Sequence, residues 1–250
     1  MSGHSKWATI KRKKAATDSV RGKVFSRLVK EITVAAKMGG GDVDANPRLR
    51  SAIDAAKREN MPVANVERAI QRGTGELPGV TYEEVTYEGF GPGGVAVLVQ
   101  TTTDNRRRTV AEIRKLFERR GGNLGEPNTV AWMFKQAGYF LVDAAGVDED
   151  ALLEVALEAG ADDVAILDGM YEVTTPPTQF HVVLTALEDA GIACGTQEMA
   201  MLPQNLVPLE GRDAERCLQL MEVLDDHDDV QNVWSNVDLD EAVVEQIAAG

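Results

Sequence analysis

Cysteine and histidine are too scarce in this chain of 250 residues to build an obvious site. Cys194 and Cys217, the two cysteines, have no flanking ligand pattern and are expected to be reduced, buried small hydrophobes of a cytosolic protein. His4, His181 and His227 have no partner at a metal-binding spacing, so neither a metal nor a cofactor is expected. No apolar run approaches the roughly 18 residues of a membrane span. The N-terminus carries charge with no apolar segment behind it, and residue 2 is not glycine, so neither a secretory leader nor a myristoylation signal is read there. A cytoplasmic protein without membrane contact is the expectation. A Walker loop, a Ser/His/Asp set and a Cys/His pair are missing too, so no enzyme and no small-molecule substrate is expected.

What the chain does have is charge, split end to end. Residues 1–77 hold 16 Lys+Arg against 8 Asp+Glu, residues 78–135 hold 8 against 7, and residues 136–250 hold 2 against 25. An overall pI of 4.7 argues against nucleic acid, but a basic head on an acidic rear makes a polarised molecule with one positive face. The alternative is that head and rear neutralise each other within the fold.

The hydrophobic periods divide the chain further. Phe25, Leu28, Val29, Ile32, Ala35 and Ala36 form one stripe of a helix ended by Gly39-Gly40-Gly41. Asn46-Pro47 starts a second helix, with Leu49, Ala52, Ile53 and Ala56, and Pro62 opens a third that stops near Gly73 and Gly75. After Pro78 strands over 82–88 and 94–102 flank a Gly/Pro turn, followed by a helix over 106–120. A strand near 139–142, helix 148–159, strands 163–168 and 171–175, helix 178–190 and strand 193–202 give the ferredoxin-like order β-α-β-β-α-β. A helix over 212–226 and a strand near 230–236 have no partners of their own and would complete the earlier unit. The fold class expected is α+β: an N-terminal three-helix bundle followed by two ferredoxin-like α+β domains, one inserted in the other. Residues 1–78 are the basic arm and helical bundle, 79–135 with 204–250 one α+β domain, and 136–203 the inserted acidic domain. Residues 1–20 read as an arm too polar to bury much. The linker 72–79, rich in glycine, reads as a hinge, with a radius of gyration that rises with salt and on adding oligonucleotide.

The candidate contacts sit in the basic runs. His4, Lys6, Trp7, Lys11, Arg12, Lys13, Lys14, Arg21, Lys23, Arg27 and Lys30 face only Asp18 and Glu31 in the first 37 residues. Cations release phosphate counterions, and Trp7, with Phe25 a second candidate, offers a ring for base stacking. Arg106, Arg107 and Arg108 open a helix, where cations oppose the helix dipole unless an anion meets them. That anion is either a backbone phosphate or the chain's own acidic insertion. Arg48 and Arg50 complete the set of nucleic-acid candidates. Gly89-Phe90-Gly91-Pro92-Gly93-Gly94 matches a dinucleotide fingerprint by spacing, but a strand follows it, so it reads as a hairpin turn. Asp225, Asp226, Asp228 and Asp229 match no calcium loop and read as a solvated acidic face.

The segments GHSKW (3–7), GGGD (39–42), ANPRLR (45–50), YEGFGPGG (87–94), DNRRRT (104–109) and GGNLG (121–125), in this order, resemble the YebC family. That family includes bacterial proteins called probable transcriptional regulators and a mitochondrial translational activator. The resemblance implies three domains and a cytoplasmic, non-enzymatic nucleic-acid binder in gene expression. Its partner is expected to be DNA, as for a DNA-binding transcriptional regulator. The alternative is rRNA on the ribosome, as for a translation factor that relieves stalling, and a further one is an acidic protein–protein adaptor. A monomer is expected.

Overall fold

In the computed structural model residues 18–167 and 169–239 are described. Helices α1 (Asp18–Gly39), α2 (Pro47–Arg58) and α3 (Val63–Thr74) form the bundle around Ile32, Ala36, Leu49, Ile53, Val66 and Ala69, the stripes that the helical period marks. Asn46 ties two helices together. Its Oδ1 accepts from the Leu49 N–H at 3.1 Å and caps α2, while its Nδ2 donates to the Ala35 and Gly40 carbonyls at 2.9 Å, where α1 ends. Gly75, at φ 84°, is the stop of α3. Gly73 lies within the helix instead: a Cβ there would collide with the Thr33 carbonyl, so glycine lets α3 cross α1 closely.

β1 (Glu83–Phe90) and β2 (Ala96–Thr103) form an antiparallel hairpin, and the GFGPGG segment between them makes a 3-10 turn at Pro92–Gly94. α4 (Arg106–Arg119) and β3 (Asn123–Leu124) follow. β4 (Phe134–Asp143), α5 (Glu149–Glu158), β5 (Asp163–Leu167), β6 (Met170–Thr175), α6 (Phe180–Asp189) and β7 (Cys194–Pro203) build a second unit. β8 (Val207–Leu209), α7 (Gly211–Asp225), β9 (Val230–Ser235) and β10 (Val237–Leu239) close the described chain. β9 returns to the first sheet, whose order is β3-β1-β2-β9, and β8 pairs in parallel with β10. The second sheet has order β5-β6-β4-β7. The two orders correspond strand for strand, except that β1, at the start of its unit, fills the place that β6 holds in the other. The fold is α+β: three N-terminal helices, then two sheet-containing units.

Alternating side chains show how the sheets stack. Val95, Val97 and Val99 pack on α4 and α7 through Ile113, Phe117 and Leu218, whereas Ala96 and Leu98 point to the other side and meet Tyr139 and Leu141 of β4. Phe140 and Val142 in turn face α5 and α6 through Leu152, Val183 and Leu187. The layers therefore run helix, sheet, sheet, helix, and β2 and β4 are apolar at consecutive positions because both of their faces are covered. The register Phe90↔Ala96, Glu88↔Leu98, Thr86↔Gln100, Glu84↔Thr102 puts Glu84 on the face that meets the second sheet, farther along the hairpin, where the bundle lies.

Candidate nucleic-acid interface

Lys23, Arg27 and Lys30 recur at i, i+4 and i+7 and so share one face of α1. That face rests on the turn between α7 and β9. Lys23 Nζ lies 2.8 Å from Asp226 Oδ1, Arg27 Nη1 3.4 Å from Asp225 Oδ1, and Lys30 Nζ 2.9 Å from Asp229 Oδ1. Lys30 also donates to the Asp228 carbonyl at 2.8 Å, and Arg27 Nη2 to that of Asp225. The acidic run expected to be a solvated face is a docking surface for the basic helix. The side chains of Asp225 and Asp229 are only 17% and 5% exposed, because each exchanges hydration for a cation. For these residues head and rear do neutralise each other.

Asp229 is the centre of this arrangement. Its Oδ1 meets Lys30 of α1. Its Oδ2 accepts from Arg108 Nη2 at 2.6 Å, Thr109 Oγ1 at 2.8 Å and Thr103 Oγ1 at 3.2 Å. Burial alone would raise the Asp229 pKa, but the hydrogen bonds from Lys30, Arg108 and Thr109 outweigh it and hold the carboxyl well below the usual carboxylate range. α4 reaches this point because Asn105 caps it, its Oδ1 accepting from the Arg108 N–H at 3.1 Å. One buried carboxylate thus draws together two basic runs that lie far apart in sequence.

The other candidates fall into groups. Arg48 bridges two carboxylates: Nε is 2.7 Å from Glu31 Oε1, and Nη1 is 3.0 Å from Glu84 Oε2 of β1. The hydrogen bonds of Glu84 and Glu31 raise its pKa further, so this clamp between bundle and sheet stays charged. Arg50 bonds to the Val43 and Asp44 carbonyls at 3.3 and 2.7 Å. Arg108 pairs also with Asp104 at 2.9 Å and with Glu112 at 3.8 Å, so its counter-charges come from these and Asp229 and not from the 136–203 insertion. Arg106 and Arg107 are exposed and have no carboxylate partner among the described residues. With Glu83, Asp104, Asn105 and Val110 they line an open depression of about 480 Å³. Phe25 is partly buried on the bundle core, so the structure uses its ring for packing. Arg21 lies in the first turn of α1, while His4, Lys6, Trp7, Lys11, Arg12, Lys13 and Lys14 lie outside the described residues.

From the sequence Asp229 reads as part of a solvated acidic face, and neither Glu84 nor Trp132 stands out. Trp132 is 65% exposed, and its indole Nε1 donates to the Thr129 carbonyl at 3.2 Å. Its loop is shaped by the buried Glu88 carboxylate, which accepts from the N–H groups of Asn128, Val130 and Ala131 at 2.7, 2.8 and 2.8 Å. Glu112, His227 and Asp229 also bring one ligand atom each within 4.8 Å of one another. His227 Nε2 is 3.0 Å from Glu112 Oε2 and its Nδ1 accepts from the Asp229 N–H at 3.1 Å, while Asp229 already faces two cations, the opposite of what a metal ligand needs. Burial pushes the thiol of Cys194 to about 11 and that of Cys217 to about 12, so both are protonated and unreactive at neutral pH. No helix among the described residues is long and apolar enough to cross a membrane.

Bundle, double sheet and paired basic runs define a class: a three-part α+β protein whose distinctive chemistry is a charged surface fastened by long-range ion pairs. Models of the TACO1/YebC protein N-terminal domain and of the TACO1/YebC second and third domain match residues 5–76 and 82–237. The chain belongs to the TACO1/YebC family. It is 57% identical to a "Probable transcriptional regulatory protein" of Citrifermentans bemidjiense, over 99% of this chain and 100% of that one. A protein of the same description from Dictyoglomus turgidum is 53% identical, again over 99% and 100%. The crystal structure of a conserved hypothetical protein from Aquifex aeolicus superposes with a TM-score of 0.85 at 44% identity, covering 91% of this chain and 94% of that one.

Proposed function

We propose that this protein is a nucleic-acid-binding regulator of gene expression, with DNA as its first partner. The observation that carries the reading is the meeting of Lys30 and Arg108 on Asp229, which sets Arg106 and Arg107, without a carboxylate partner among the described residues, near the helix that follows the basic N-terminal run. Phosphate contacts need cations that are not already spent, and among the described residues Arg106 and Arg107 meet that condition. The names of the relatives favour DNA. RNA is the second reading, and one observation favours it: α1 is docked through its cations, so it is not free to enter a major groove as a recognition helix.

Fluorescence anisotropy with a duplex DNA and with a structured rRNA fragment, at 50 to 200 mM salt, tests both readings. Reversing Arg106 and Arg107 to Glu should weaken binding by roughly tenfold or more and reduce the salt slope by about 2. Deleting residues 1–17 should weaken it further. Unchanged affinity and slope in both variants would overturn the assignment. Tighter binding of the rRNA fragment at every salt concentration would move it from transcription to translation.

A further inference from the structure

The second sheet ends in an edge strand, β5. Among the described residues β5 is hydrogen bonded to β6 alone, whereas the opposite edge, β7, lies against β9 of the first sheet. Bare edges are templates for another strand, and proteins usually blunt them with lysine, proline or a bulge. β5 reads Asp-Val-Ala-Ile-Leu and pairs with β6 in unbroken register. Ile166 on it is 62% exposed, and Leu157 of α5 and Val182 of α6, in the same unit, are 49% and 52% exposed. Residues 136–203 hold 13 Asp+Glu and no Lys or Arg.

That charge selects the occupant. A second copy pairing through its own β5 would bring the same acidic run to the edge, and nucleic acid would be repelled in the same way. A cationic chain is attracted. We propose that the β5 edge docks an extended, lysine- or arginine-rich segment of a protein partner, which adds to the sheet as a fifth strand. Main-chain hydrogen bonds along β5 supply affinity and Ile166 supplies an apolar contact for alternate side chains of the guest. Asp162 and Asp163, both exposed, meet its cations. The site lies on the other sheet from β9, which follows Asp229, so it is independent of the nucleic-acid reading and does not use Arg106 or Arg107.

The test uses the full chain and a fluorescein-labelled peptide of alternating Lys and Val. Anisotropy gives its affinity, and hydrogen exchange gives its place. Binding should slow exchange at the amides of 163–167, and Ile166→Lys should weaken it at least tenfold with an unchanged melting temperature. A Lys–Gly peptide of equal charge should bind at least tenfold more weakly than the Lys–Val peptide. Three results would each overturn the proposal: no protection at 163–167, equal binding of the two peptides, or a concentration-dependent dimer that Ile166→Lys abolishes. Affinity of Ile166→Lys for DNA is expected to equal that of the wild type, so a failure here is separable from a failure of the nucleic-acid assignment.

Discussion

Asp229 shows how much can depend on a single carboxylate. Its partners come from α1, from α4 and from the end of β2, so removing it leaves Lys30 without its carboxylate and Arg108 with its exposed partners Asp104 and Glu112 alone. Breaking a buried pair from one side typically costs about 3–5 kcal/mol. Arg108 is 42% exposed and regains water, so the lower end applies and Asp229→Asn is expected to cost about 3 kcal/mol. The pH dependence follows from the direction of the shift. The folded pKa lies below the ordinary value of about 3.9, so the stabilisation is complete above that pH and is lost as pH falls through the folded value. Urea midpoints from pH 2 to 7 check this: the gap between wild type and Asp229→Asn should be constant from pH 5 to 7 and narrow progressively below about pH 3.9. A gap that closes between pH 5 and 7 would contradict it.

At the scale of elements, the sequence showed nearly every helix and strand, because each has its own period or its own stop. Asn46-Pro47, Gly40 and the turn at Pro92–Gly94 act where they stand. β3, β8 and β10 escaped notice because two or three residues carry no period, and only a distant strand makes them strands. The cations of the candidate site were legible as charge, but their fates were not. Lys23 and Asp226 are 203 residues apart, and no local pattern says that a run of aspartates will meet a run of lysines. Glu88 is a further case, since a buried carboxylate in a strand looks like an error until the loop it organises is seen. Glu88→Ala would orphan three N–H groups and is expected to cost at least about 2 kcal/mol. Hydrogen exchange should accelerate at 128–131 while the α1–α3 amides keep their rates; equal acceleration in both would show global unfolding instead.

For the whole molecule, the segment after α3 led to the expectation of a hinge that salt opens. The structure shows a junction with unequal locks. Lys23–Asp226 is exposed and open to screening, but Lys30 and Asp229 are 13% and 5% exposed, and Arg48 clamps Glu84 across the same boundary. Buried pairs are screened little, so the radius of gyration of the wild type is expected to be the same at 50 and 500 mM salt. In Asp229→Ala it should exceed the wild-type value at 500 mM. Small-angle scattering on the two proteins decides, and a wild-type curve that expands with salt would restore the simple hinge.

The order of the chain adds a consequence in time. A ribosome makes α1 first and the Asp225–Asp229 turn some 198 to 203 residues later. At roughly 5–20 residues per second that is an interval of about 10–40 s. β9, which completes the first sheet, emerges later still, so β2 waits with one edge open while the second sheet is already whole. During that interval Lys23, Arg27 and Lys30 lack the aspartates they pair with in the folded chain. The newborn helix therefore shows its cations to whatever surrounds it, until a turn made some 200 residues later withdraws them.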